Sequence, residues 1–121
     1  MTESDSTLPR RIGSFRFTRL EYLIYKIPKN SSKNELLKIA QNLHDKEPKS
    51  IINLADTDDT DEYIDFFERL EKKETGMEYP FDWKKKHIIG CVTVFGEGGE
   101  LIWYLIEGSC LNSMEKIAKL K

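Results

Sequence analysis

The chain has 121 residues, 39% of them hydrophobic and 33% charged, with 19 Lys+Arg against 21 Asp+Glu for a formal net charge of −2. That length suits one domain with a modest core, and the balance of charge and apolar residues argues against wholesale disorder. A near-neutral chain has no global field to draw in nucleic acid or anionic lipid, no stretch is long and apolar enough to span a membrane, and two cysteines are too few for a secreted disulfide scaffold.

Residues 1–11 are polar and aperiodic and predict a flexible tail. Acids precede the Arg10-Arg11 pair there and no apolar run follows, so the start does not read as a signal peptide. Residues 12–121 are expected to form a single α+β domain. Residues 15–27 predict a strand or a bent pair of strands, with Phe15, Phe17, Leu23, Tyr25 and Ile27 on one face and Leu20, Tyr22 and Ile24 on the other. Pro28 and Asn30 close it. Ser32 followed by Glu35 is a capping-box pattern, and Leu36, Ile39, Ala40 and Leu43 then recur at helical spacing up to Pro48. Residues 51–55 are a short apolar run suited to a buried strand.

An acidic stretch, residues 56–61, leads into a second helix whose apolar face is Tyr63, Phe66, Phe67 and Leu70, with Gly76 a plausible terminator. Residues 77–87 read as a loop containing Pro80. Residues 88–95 and 101–106 are the most apolar segments and form a hairpin around Gly98-Gly99, since glycine accepts the positive φ of a tight turn. Asn112 with Glu115, then Met114, Ile117, Ala118 and Leu120, predict a short terminal helix. The expected fold is therefore α+β in the order β-α-β-α-β-β-α, a mixed or antiparallel sheet of about four strands with helices packed on it. The hairpin register sets Cys91 opposite Ile106 and away from Cys110. The two cysteines thus read as reduced thiols in a reducing compartment, and the protein as cytoplasmic.

No motif identifies a reaction. In Ile51-Ile52-Asn53-Leu54-Ala55-Asp56-Thr57-Asp58-Asp59-Thr60, an apolar strand runs into Asp-x-Asp-x-Thr, which resembles the first motif of haloacid-dehalogenase-type phosphatases. The resemblance covers these ten residues and implies Asp56 as nucleophile, Asp58 as general acid/base and Mg²⁺ between carboxylates. The competing reading is a helix start with acidic caps, whose charges suit the positive end of the helix dipole. A calcium loop fails, because counting from Asp56 puts Asp61 and Phe67 where Gly and Glu are needed. No metal or cofactor is expected: Cys91, Cys110, His44 and His87 occur singly, without paired ligand spacing. Gly96-x-Gly98-Gly99 leads into no helix and so cannot cradle a phosphate.

The binding candidates are Trp83, Lys84, Lys85, Lys86 and His87, which mix cations with aromatics, and Trp103 and Tyr104 on the return strand of the hairpin. The reading that best fits these residues is a small cytosolic interaction or accessory domain of the adaptor, inhibitor or immunity kind, binding a protein partner. Its alternatives are a metal-dependent phosphoester hydrolase using Asp56 and Asp58, and a weak single-strand nucleic-acid binder through residues 79–87. The balance of features leans away from an enzyme, away from nucleic acid and away from membranes, and leaves the oligomeric state open.

Overall fold

The structure is a computed structural model and describes residues 8–28, 30–108 and 116–121. Among these the elements run β1 (Arg10–Phe17), β2 (Leu20–Lys26), α1 (Lys33–Lys46), β3 (Ile51–Ala55), α2 (Asp61–Glu71), α3 (Phe81–His87), β4 (Ile88–Glu97), β5 (Glu100–Glu107) and β6 (Lys116–Lys119). The strands form one mixed sheet of six in sequence order. Only β2 and β3 are parallel, joined by the α1 crossover, and every other neighbouring pair is antiparallel.

The α+β class holds, but the expected sheet of about four strands is corrected to six. One added strand comes from residues 15–27. Thr18 and Arg19 have φ of 53° and 69°, so the chain reverses there and β1 folds back on β2. Positive φ is uncommon outside glycine, and no glycine marks this turn. The reversal also changes the faces: Phe15 pairs with Tyr22 and shares its side of the sheet, where simple alternation set them apart. The hairpin extends as far as Arg10, within the stretch expected as tail.

The second added strand is β6. Ile117, Ala118 and Leu120 fit a helix or a strand equally, and four residues make too weak a helix to compete with the ladder bonds offered by the edge of β5. The cap expected at Asn112 and Glu115, with Met114, lies outside the described residues, as does Cys110. The third correction is α3, a helix where a loop was expected. Pro80 lacks the N–H that a helix start leaves unused, Asp82 sits in the first turn, and Lys84, Lys85, Lys86 and His87 sit in the last, matching the helix dipole at both ends.

The remaining elements follow their sequence signals. Ser32 and Glu35 form the reciprocal cap: the Glu35 N–H donates to the Ser32 hydroxyl at 3.2 Å and the Ser32 N–H to the Glu35 carboxylate at 3.1 Å. Helix α1 lays Leu36, Ala40 and Leu43 on one sheet face, over Leu23, Tyr25, Ile52, Leu54, Val92 and Leu105. On the other face α2 contributes Tyr63 and Phe67 and α3 contributes Trp83, over Phe15, Ile24, Ala55 and Ile88. Cys91 is buried in β4 opposite Ile106, the pairing that the hairpin register predicts. Among the described residues no helix is long and apolar enough to cross a membrane.

Gly90 lets α1 sit close to the sheet. A Cβ there would lie 3.2 Å from the Ile106 carbonyl oxygen and 3.5 Å from Leu36 Cδ2. Gly90→Val is expected to lower the unfolding free energy by roughly 1–3 kcal/mol through overpacking, read from denaturant midpoints. Asn53 is fully buried in β3 and, among the described residues, its side-chain amide has no hydrogen-bond partner. The nearly isosteric Asn53→Leu should therefore raise stability by about 1 kcal/mol or more in the same experiment, because it removes a desolvated amide that nothing compensates.

Candidate functional site

Three polar or exposed clusters sit on this frame. The first lies where the parallel strands β2 and β3 end. There His87 Nδ1 is 2.9 Å from Asp56 Oδ1, an ion pair when the imidazole is protonated. Asp58 is held from two sides, by Arg10 at 2.6 Å and Lys26 at 2.8 Å. Lys26 and then Arg10 keep its carboxyl below the ordinary carboxylate range. The cluster ties the starts of β1 and β4 to the ends of β2 and β3. Asp56 orients an imidazole, as the acid of a catalytic triad does, but among the described residues no hydroxyl or thiol is hydrogen-bonded to His87. A cation at Asp58 would have to compete with Lys26 and Arg10. Among the described residues no three His, Cys, Asp or Glu side chains are grouped to hold a metal ion.

The second cluster spans the tip of the β4–β5 hairpin. The Tyr104 hydroxyl donates to Glu97 at 3.0 Å and Lys116 Nζ donates to Glu97 at 2.8 Å. The Lys116 ammonium also lies over the Phe95 and Tyr104 rings, 4.9 Å and 4.4 Å from their centroids. Lys116 and then Tyr104 hold the Glu97 carboxyl low, while the hydrogen bond to Glu97 raises both Tyr104 and Lys116. This arrangement fastens β6 to the hairpin. Trp103 points to the opposite sheet face and sits half-buried against His44 of α1, ring centroids 5.0 Å apart.

The third cluster is built by α2, α3 and the chain between them. The sequence-predicted residues 83–87 divide here. Trp83 is 8% exposed, stacks on Tyr63 at 4.9 Å and donates its indole N–H to the Asp59 carbonyl at 2.8 Å. Lys84 is 1% exposed, with its ammonium 4.8 Å from the Tyr79 ring centroid. Lys85 and Lys86 are exposed and His87 is half-buried. The helix thus turns Trp83 and Lys84 inward and presents Phe81, Asp82, Lys85 and Lys86 to solvent, as 100° per residue requires.

Phe81, which sequence reasoning did not select, is 56% exposed. It borders a groove of about 480 Å³ lined by Glu62, Glu78, Tyr79, Pro80, Phe81 and Asp82. A second hollow of about 320 Å³ continues from Glu62 and Glu78 toward Phe66, Glu74 and Met77. Each is of the size usual for ligand sites, on the order of 300–1,000 Å³. Tyr79 forms the floor, edge-on to Phe66 at 5.1 Å and to Phe81 at 4.5 Å. The signal that could have found Phe81 is Pro80-Phe81-Asp82 read as a helix start, which separates Phe81 from Trp83 by face. Leu101, 77% exposed at the hairpin tip, lines neither of these two hollows.

No family model matches the chain, and comparison with curated proteins and with solved structures gives no match.

Of the two histidines, His44 is the one buried in the core. His44 is 7% exposed, its Nδ1 has no partner among the described residues, and burial lowers its pKa from 6.5 against a smaller opposing pull from Asp45. The unfolded chain therefore takes up a proton at His44 near pH 6.5, while the folded protein does so only at lower pH. Through that window the unfolded state binds more protons, so stability is full above pH 6.5 and declines as pH falls below it. Urea unfolding along a pH series is expected to show this decline, and His44→Phe, which keeps a ring against Trp103, should flatten it.

Proposed function

We propose that this protein is a small interaction domain that binds a protein partner through the groove between α2 and α3, in an adaptor, inhibitor or immunity-type role. The observation that supports this reading is Phe81. Its ring is mostly exposed on a face of α3 that bears no other apolar residue, beside a groove with an aromatic floor. A single exposed apolar side chain is ordinary on a protein surface. An exposed aromatic at the lip of a concave, aromatic-floored groove has the character of a binding anchor, because covering it removes a large apolar area at little conformational cost. A cytoplasmic setting belongs to the same proposal and rests on the low cysteine count.

Neither alternative gains a comparable observation. The hydrolase reading needs Asp56 and Asp58 available, but Asp58 is held by Arg10 and Lys26 and Asp56 is bonded to the His87 ring. The nucleic-acid reading draws on residues 79–87, of which Trp83 and Lys84 are buried, so that Lys85 and Lys86 remain as the exposed cations of a small footprint.

Phe81→Ser is expected to leave the melting temperature within a few degrees of wild type, since its ring is mostly in water. It should also abolish or sharply reduce co-purification of whatever partner the wild-type protein retains from its native host. Reproducible absence of any partner with the wild type would count against the interaction role. Equal recovery with both proteins would move the binding surface elsewhere.

A further inference from the structure

We infer that the α2–α3 groove takes a basic segment of its partner, one that carries arginine together with apolar side chains. This rests on the groove being the binding surface. Five carboxylates rim the two hollows: Glu62, Asp65, Glu74, Glu78 and Asp82. The one cation among them, Arg69, is spent on Asp65 at 3.1 Å. Among the described residues, Glu62, Glu74, Glu78 and Asp82 have no ion-pair partner.

Helix dipoles account for Glu62 and Asp82, which sit in the first turns of α2 and α3. They do not account for Glu74 and Glu78, which lie on the connecting chain. In a protein whose net charge is only −2, this rim is a local excess of negative charge. The aromatic residues between the acids supply the rest of the complementarity. A guanidinium stacks well on an exposed aromatic face and pairs with carboxylates through its planar fork, so Phe81 flanked by Glu78 and Asp82 favours arginine over lysine. Apolar side chains of the segment would meet Tyr79, Pro80, Phe66 and Met77.

Orientation follows as well. Lys85 and Lys86 stand one helical turn beyond Phe81 and Asp82 and repel a cation at that end. The basic residues therefore run from Phe81 toward Glu62 and Glu74, not toward His87.

The test is fluorescence polarisation with a fluorescein-labelled peptide alternating arginine and leucine, beside the same peptide with glutamate in place of arginine. The arginine peptide should bind and the glutamate peptide should not. Combined Glu62→Lys and Glu78→Lys should weaken binding by about tenfold or more. Phe81→Ser should weaken it by about fivefold or more. Glu100→Lys, a reversal of the same sign on the distant hairpin tip, should leave it unchanged. All these positions are exposed or line the groove, so folding is checked simply by an unchanged melting temperature.

The inference is overturned if the arginine peptide does not bind. It is also overturned if Glu100→Lys weakens binding as much as the groove variants, or if Phe81→Ser is without effect. Loss of the inference is distinct from loss of the interaction role. A native partner recovered equally by wild type and by the Glu62→Lys, Glu78→Lys protein defeats only the basic segment, whereas absence of any partner defeats both.

Discussion

The Phe15 ring stacks against both Tyr22 and Phe67, at centroid distances of 4.9 Å and 4.5 Å and with the planes within 9° of parallel, and Tyr22 and Phe67 meet each other at 6.4 Å. Much of the molecule follows from this stack. Phe15 and Tyr22 share a face only because the chain reverses at Thr18 and Arg19. Phe67 then brings α2 down onto β1, its principal contact with the sheet. Such pairs contribute about 0.5–1.5 kcal/mol each beyond the area they bury, and Tyr63 adds an edge contact to each of Phe15 and Phe67. With α2 fixed over the first hairpin, the chain must come back across the sheet to enter β4 beside β3. The short α3 is the last limb of that return, and the groove is the space left between the two helices.

Charge is distributed by two different rules on this frame. Where strands must be fastened together, cations and acids are matched: Arg10 and Lys26 with Asp58, His87 with Asp56, Lys116 with Glu97. These pairs join strands far apart in sequence; those of Asp58 and Glu97 are exposed and each weak by itself in water, while the His87–Asp56 contact is part-buried. Their value is positional, since each resists the fraying of a strand end. Around the groove only Asp65 is matched, by Arg69, and among the described residues Glu62, Glu74, Glu78 and Asp82 are not. Mutual repulsion there is a small cost to stability, tolerable because water screens exposed carboxylates.

The local signals in the sequence transferred well wherever one physical cause acts alone. Ser32 and Glu35 cap α1 as their spacing predicts, and Gly98-Gly99 sets a register in which Cys91 meets Ile106. The difficulties arise where two structures suit the same residues. Ile117 and Ala118 fit a helix or a strand, and the free edge of β5, a tertiary fact, decides between them. Thr18 and Arg19 carry no turn signature because their positive φ is imposed by the pairing of Phe15 with Tyr22. The site suffered most from the loop reading of residues 77–87. In a loop, Phe81 and Trp83 are two aromatics near lysines. On a helix they are about 200° apart, and one belongs to the core.

A helix of seven residues has almost no stability in water, so α3 exists because its inner face is held. Trp83 is pinned twice, by the stack on Tyr63 and by its hydrogen bond to the Asp59 carbonyl. The buried Lys84 sets its ammonium over the Tyr79 ring, and the Lys84 N–H donates to the Pro80 carbonyl at 3.1 Å. The outer face inherits that rigidity. Phe81 sits two residues before Trp83, with its ring against Tyr79 at 4.5 Å. The same interactions that bury Trp83 and Lys84 thus hold the helix in the orientation that leaves Phe81 on its exposed face.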